Sequence, residues 1–369
     1  MEDGKRNIGI DLLRIVSMCM IIVIHMNGYG KASEMIDAFS FKYYLSQGIT
    51  FFVTCSVNIY AMISGFVGGS KVVSGNSVRK FLKLWLQVFF YSIFLTQIFN
   101  IMYPAQISRR QMIESVFPAM SMQYWYFTFY IPVIFLAPYL NQMVSYMGIV
   151  IMRKLIALLF LIFSVIPWVF QTDWFGLDGG FSVFWLIILY TFGLWLKRES
   201  EMVDSPLDRC RKSWLLFSLT GLIVMQVFLR YVLDRFEEVS GGSGFMHAFN
   251  NYTSPFIVLE ACVMVLLFGK LDLSEKKKLK WISKLGGASF GVYLIHDNQF
   301  VRNYIMMDRL SKIGELNTMM YVMTMVGVSV GIYACCAVVE LIRKYFSRGI
   351  RNIFLEKINW YIRLIKLRA

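Results

Sequence analysis

Long stretches of this sequence carry no charge. Between Ser115 and Met152 there is no Asp, Glu, Lys, Arg or His, and similar apolar runs recur along the chain. A bilayer's hydrocarbon core is about 30 Å thick and takes about 20 apolar helical residues to cross. Ten runs approach that length: 8–28, 49–69, 84–103, 124–147, 155–171, 181–196, 213–231, 253–269, 285–303 and 317–340. Two of them, 155–171 and 181–196, are short, and 285–303 is polar in its middle. Hydrophobic residues make up 57% of the 369 and charged residues 16%, where a soluble domain carries about 25% charged. A water-soluble fold has nowhere to put so much Phe, Ile, Leu and Met. The chain therefore reads as an all-α integral membrane protein, a bundle of about ten transmembrane helices.

Charge sets the expected orientation. The net charge is +14, a balance that elsewhere signals nucleic-acid binding. Here the cations sit in short clusters between apolar runs, so they read as topology signals and nucleic acid is not expected as a partner. With a cytoplasmic N-terminus, 27 of the 37 Lys and Arg fall on inside segments and nine on outside ones, Arg14 lying within the first run. Cytoplasmic loops are the ones enriched in Lys and Arg. An even number of spans with both termini cytoplasmic follows. Residues 1–345 read as one transmembrane domain, and 346–369 as a basic amphipathic tail on the inner leaflet. The first run follows Lys5 and Arg6 without a small-residue cleavage site, so it is expected to be retained. The six cysteines (19, 55, 210, 262, 335 and 336) include no Cys-x-x-Cys pair. They read as small buried hydrophobes, and no metal site is expected. The longest outer loop, about 232–252, includes a flexible Ser-Gly-Gly-Ser-Gly stretch at 240–244.

Chemistry then has to come from polar groups inside the bilayer, where an ionisable residue is a functional candidate by default. The first run holds Asp11, Arg14 and His25. Eleven residues separate Arg14 from His25. That is three turns plus roughly 20°, so both leave one helix face about 16 Å apart along the axis. Asp11 is placed to pair with Arg14. One reading is a substrate-filled polar path. The other is a structural ion pair near the interface, with Arg14 snorkelling and His25 an ordinary interfacial residue. Neutral imidazole can take a proton from a hydroxyl near pH 7 or carry an acyl group. A guanidinium can grip phosphate or carboxylate through its fork. His296, with Asp297 and Asn298, is a second polar cluster, and Glu260 and Asn58 are isolated polar residues that must face the bundle interior. Arg79, Lys80 and Lys83 are either a topogenic cluster or a phosphate grip. Trp125 and Tyr126 are either an aromatic belt or a sugar-stacking face. Trp168 and Trp174 carry the same two readings.

The order of these segments resembles the membrane acyltransferase-3 family. Asp11-Leu-Leu-Arg14 followed by ten residues and His25 is similar to its Arg/Lys-x10-His signature. Ile63-Ser-Gly-Phe66, the basic run Arg79 to Lys83, Trp125-Tyr126 with Pro138-Tyr-Leu-Asn141, and Ser289-Phe-Gly-Val-Tyr-Leu-Ile-His296 fall in the family's order. The third-helix segment departs from the pattern, with Lys83 where Arg is expected in many members and no proline soon after. Helices two to four look most like acyltransferases of bacterial capsule and exopolysaccharide clusters. The resemblance implies a multi-pass transmembrane acyltransferase of the bacterial cytoplasmic membrane. It implies acetyl-CoA or another acyl-CoA as donor substrate with no bound cofactor, and a glycan hydroxyl as acceptor. His25 and Arg14 become the catalytic pair, and Arg79, Lys83, Trp125, Tyr126, His296, Asn58 and Glu260 candidate substrate contacts. The rival reading is an exporter or flippase of a lipid-linked sugar, against which stands the lack of paired broken spans in matching halves.

Overall fold

The computed structural model describes residues 7–68, 76–240, 250–271 and 279–347. The described residues are 81% helix, with no strand among them. The helices are α1 (Ile8–Gly28), α2 (Phe41–Gly68), α3 (Asn76–Met102), α4 (Arg109–Val116), α5 (Trp125–Tyr146), α6 (Ile149–Phe160), α7 (Ile166–Phe170), α8 (Val183–Glu201), α9 (Pro206–Arg209), α10 (Lys212–Ser240), α11 (Pro255–Gly269), α12 (Lys280–Gly286), α13 (Ser289–His296), α14 (Gln299–Val301) and α15 (Thr318–Phe346). Helix is the expected outcome for apolar runs in lipid, because it satisfies every backbone N–H and C=O internally.

Among the described residues, seven helices are long and apolar enough to cross a membrane: α1, α2, α3, α5, the continuous stretch Ile149–Phe170, α10 and α15. A π-turn at Leu161–Val165 joins α6 to α7 within that stretch, so one long helix replaces the short run read at 155–171. Helix α11 is shorter and apolar apart from Glu260, and α8 covers most of the run at 181–196 before its charged last turn, Lys197 to Glu201. The protein is thus a multi-pass membrane protein.

The expected span 285–303 is broken rather than continuous. Helix α12 ends at Gly286, which presses directly on α1: a Cβ there would lie 2.6 Å from the Asp11 carbonyl oxygen. Helix α13 then runs for only eight residues. The Asn298 side chain accepts the Phe300 N–H (3.0 Å) and starts α14, as a helix N-cap does. The interruption falls on Asp297, next to His296. The expected tail lies, from residue 348 on, outside the described residues, as do residues 241–244 of the outer loop and His247.

Helices α1 and α2 form the centre of the bundle. Helix α2 packs on α8, α11, α1 and α10, and α1 also meets α12, α13 and α15. The α2–α8 contact is a backbone-to-backbone approach. An added Cβ on Gly65 would stand 2.0 Å from the Tyr190 carbonyl oxygen, and one on Gly193 2.0 Å from that of Met62. Such small-residue seams let membrane helices approach closely where no hydrophobic force drives them together. Helix α10 shows Phe217, Phe228 and Trp214 on its exposed face and buries Gln226 and Asp234 on the other. Polar groups therefore face protein and apolar ones face outward.

Candidate active site

Helix α1 begins at Asn7, whose side chain accepts the Ile10 N–H (3.1 Å). One turn on, Asp11 is fully buried and accepts hydrogen bonds from Arg14 Nη1 (2.5 Å) and Ser283 Oγ (2.6 Å). The ion pair read from the i, i+3 spacing is thus present. It is not the whole of Arg14's environment, because Arg14 also lines a cavity of about 660 Å³ with Arg79, Lys80 and Lys83. Lys80 Nζ donates to the Tyr130 hydroxyl at 3.0 Å. Four cations from α1 and α3 therefore meet one cavity whose opposite wall, Tyr126 to Asn141, comes from α5.

Tyr60, Tyr126 and Phe290 belong to the wall of this cavity and also to that of a much smaller one, about 50 Å³. Tyr60 is fixed by donating to the Arg14 carbonyl at 2.6 Å. The smaller chamber holds His25, enclosed by Trp125, Tyr252 and Tyr293. Arg14 and His25 thus border two adjoining cavities, a wide basic vestibule and a tight chamber, which share an aromatic narrowing.

The broken helix supplies the rest. Asp297 Oδ1 lies 3.7 Å from His25 Nδ1, within ion-pair reach and beyond a hydrogen bond. Arg302 Nη1 is 3.4 Å from the same oxygen and donates to the Tyr29 hydroxyl at 2.7 Å. His296 stacks obliquely on His25, ring centroids 5.1 Å apart. Its Nδ1 is 2.7 Å from the Val292 carbonyl. A carbonyl only accepts, so Nδ1 carries the hydrogen in the neutral ring and Nε2 keeps a lone pair. That Nε2 is buried with no hydrogen-bond partner. Asn298 holds the turn by donating to the Tyr124 hydroxyl (2.9 Å), which itself donates to the Leu294 carbonyl (2.9 Å). Over the end of α1, the Asp308 and Leu310 N–H groups donate to the Tyr29 and Gly30 carbonyls, both at 3.0 Å. Lys31 bridges Asp308 (3.1 Å) and Glu34 (3.3 Å), and these carboxylates hold its ammonium above the ordinary lysine range.

Other expected site residues fall in different places. Arg79 and Lys83 line the basic vestibule, and Trp125 and Tyr126 line the His25 chamber rather than a lipid-facing belt. Asn58 sits behind the chamber: its Nδ2 donates to the Tyr252 carbonyl (2.7 Å) and its Oδ1 accepts from Trp185 Nε1 (3.3 Å), so it positions an aromatic wall. Glu260 is buried on α11, accepts from Gln226 Nε2 at 2.5 Å, and belongs to the wall of neither cavity. Trp168 packs on Phe256, and Trp174 is exposed. Sequence reasoning passed over Arg302, Tyr60, Tyr252 and Phe290, and noted Asp297 only as part of a polar trio. A carboxylate next to a membrane histidine was the available signal for Asp297. The aromatic walls come from four separate segments and leave no local pattern. The six cysteines, all within the described residues, are unpaired.

A family model described as an acyltransferase domain matches residues 7–341 of the chain. No curated protein and no solved structure matches it.

Proposed function

The chain belongs to the membrane acyltransferase-3 family, and on that premise we propose that it transfers an acetyl group from cytoplasmic acetyl-CoA to a hydroxyl of a cell-surface polysaccharide or its lipid-linked precursor. The observation that carries this reading is the adjoining pair of a four-cation vestibule and a chamber holding an imidazole. The proposed topology is ten crossings of a bacterial cytoplasmic membrane with both termini inside, which turns the vestibule toward the cytoplasm.

The dimensions suit coenzyme A. Phosphates held by Arg14, Arg79 and Lys83 would leave the pantetheine arm to thread past Tyr60, Tyr126 and Phe290. That arm has about thirteen bonds from pyrophosphate to sulfur, roughly 15 Å when extended like a peptide chain. Arg14 and His25 are about 16 Å apart along α1. At that separation the two cannot act on one atom, so Arg14 grips the donor's remote end and His25 meets the thioester.

In direct transfer, His25 Nε2 takes the proton of the acceptor hydroxyl while its oxygen attacks the thioester carbonyl. The C–S bond breaks, and the departing thiolate takes the proton from the imidazolium to give free CoA. Asp297, facing Nδ1, holds the ring and stabilises its cationic form, as carboxylates do for imidazole bases. The unpartnered Nε2 of His296 supports a second route. There His25 Nε2 attacks the thioester itself, CoA thiolate leaves, and His296 takes the hydroxyl proton as the acceptor attacks the acyl-imidazole. Acetylated protein trapped with labelled acetyl-CoA, without acceptor, separates the routes.

The deciding experiment incubates the purified chain in lipid nanodiscs with acetyl-CoA and polysaccharide, reading free thiol and acetylated product. Acceptor-dependent CoA release that disappears in His25→Ala is the expected result. No release, with the polysaccharide instead moving across the membrane, would mark an exporter. Wild-type rates in His25→Ala would end the catalytic role of that residue. Acetylation of surface polysaccharide, read by mass analysis of cells with and without the gene, identifies the acceptor.

A further inference from the structure

A third cavity is larger than both the vestibule and the His25 chamber. It is a groove of about 1290 Å³ between α3 and α15, with Phe290 of α13 on its wall. That exceeds the roughly 300–1,000 Å³ of an ordinary small-molecule pocket. Its length is lined by apolar side chains, among them Phe90, Phe94, Val339 and Ile342, and these four are exposed. Its other end gathers Arg79 and Lys83 from α3 with Arg343 and Lys344 from α15. One buried carboxylate stands beside them. Glu340 accepts from Arg343 (2.8 and 2.9 Å), Tyr91 (2.7 Å) and Gln87 (3.1 Å), with Lys344 at 3.3 Å. Among the described residues, four cations at this end face one carboxylate, an excess of positive charge.

Two features select the occupant. From Lys83 to Phe94 the groove follows eleven residues of helix, about 16 Å, close to half of a hydrocarbon core about 30 Å thick. Its apolar length is that of one leaflet. The charge excludes a basic partner: a second copy would bring the same cations, and residues 348–369, which follow the groove-lining Ser347, hold six Lys and Arg against one Glu. We propose that this groove is a binding site for one anionic phospholipid, its phosphate between Arg343 and Lys344 and its acyl chain along α3 and α15. Because Arg79, Lys83, Leu84 and Phe290 line both the groove and the vestibule, the bound lipid forms the lateral wall of the basic vestibule. The site stands independently of the reaction proposed above.

The test uses the full chain in nanodiscs with graded mole fractions of phosphatidylglycerol in phosphatidylcholine. Lipids retained on the protein are counted by native mass spectrometry, and folding is followed by thermal melting. The cationic end predicts a preference for phosphatidylglycerol of about tenfold or more, roughly fivefold for each charge left over, with one lipid retained per chain. The double variant R343Q/K344Q should keep about a fivefold preference. Val339→Trp, which fills the groove and leaves every charge in place, should lose both lipids. Equal retention of the two lipids by the wild type would overturn the proposal, as would Val339→Trp that melts normally and retains lipid. Displacement of phosphatidylglycerol by an equal mole fraction of polyisoprenyl phosphate would overturn it too, by assigning the groove to an isoprenoid lipid.

Discussion

Replacing Asp297 by Asn tests the chemistry at one atom pair. The change removes the carboxylate 3.7 Å from His25 Nδ1 while keeping the side chain's shape. As His25 takes a proton it becomes a cation facing that carboxylate. At 3.7 Å and an effective dielectric of about 20, the attraction is about 4.5 kcal/mol. Each 1.36 kcal/mol is a factor of ten in rate, so the upper limit is a loss of roughly 2,000-fold. The His25 side chain is 14% exposed, and water lowers the figure toward a few hundredfold. Arg302 acts in the same direction, since the variant leaves its guanidinium without the carboxylate 3.4 Å away. The assay is acceptor-dependent CoA release at saturating acetyl-CoA. A fall of about 10² to 10³ in kcat is expected, with the KM for acetyl-CoA little changed because the donor's phosphates are held elsewhere. The double variant D297N/R302Q, in which neither charge is left alone, should melt closer to wild type yet stay inactive. Activity of Asp297→Asn within threefold of wild type would refute the assignment, and so would recovery of kcat in the double variant.

Further outcomes follow from the same structure. Arg79→Gln and Lys83→Gln should each raise the KM for acetyl-CoA roughly tenfold or more and leave kcat largely intact, since a charge-assisted hydrogen bond contributes about 1.5–3 kcal/mol; steady-state kinetics with varied donor checks this. His25→Gln should slow transfer by about 10² to 10⁴, the usual contribution of a positioned base, without weakening donor binding measured by isothermal titration. Gly193→Ala should cost about 1–3 kcal/mol, because its methyl would meet the Met62 carbonyl oxygen at 2.0 Å; fluorescence-detected melting in detergent should show the loss. Arg14→Lys should keep more activity than Arg14→Ala, since charge survives while the fork is lost.

Much of this architecture was legible because lipid imposes a coarse rule: apolar runs become helices. All ten expected runs are helical over most of their length. The exception in form, 285–303, shows the rule's limit. Hydropathy averaged over that window hides Gly286, which allows close approach to α1, and a His-Asp-Asn sequence that ends one helix and caps the next. The eleven-residue spacing from Arg14 to His25 was readable because it is a property of one helix. The contact between His25 and Asp297 was not, because 272 residues separate them and no local periodicity encodes which distant turn lands beside an imidazole. Burial of Asn58 and Glu260 followed from their setting in apolar runs, whereas their partners come from elsewhere: Trp185 and Gln226 from other helices and Tyr252 from the turn before α11. Charge patterns placed Arg79 and Lys83 at the start of α3. That they join Arg14 around one cavity depends on the packing of α1 against its neighbours.

The aromatic narrowing has a consequence for the cell. Any continuous polar route through a lipid barrier threatens to short-circuit the ion gradients that the membrane exists to maintain. Tyr60, Tyr126 and Phe290 stand where the vestibule meets the His25 chamber, and the space beyond them is only about 50 Å³. In the reaction proposed above, such a gasket would admit a slender flexible arm and exclude a hydrated ion. A group could then be handed across the membrane while the proton and sodium gradients stay intact.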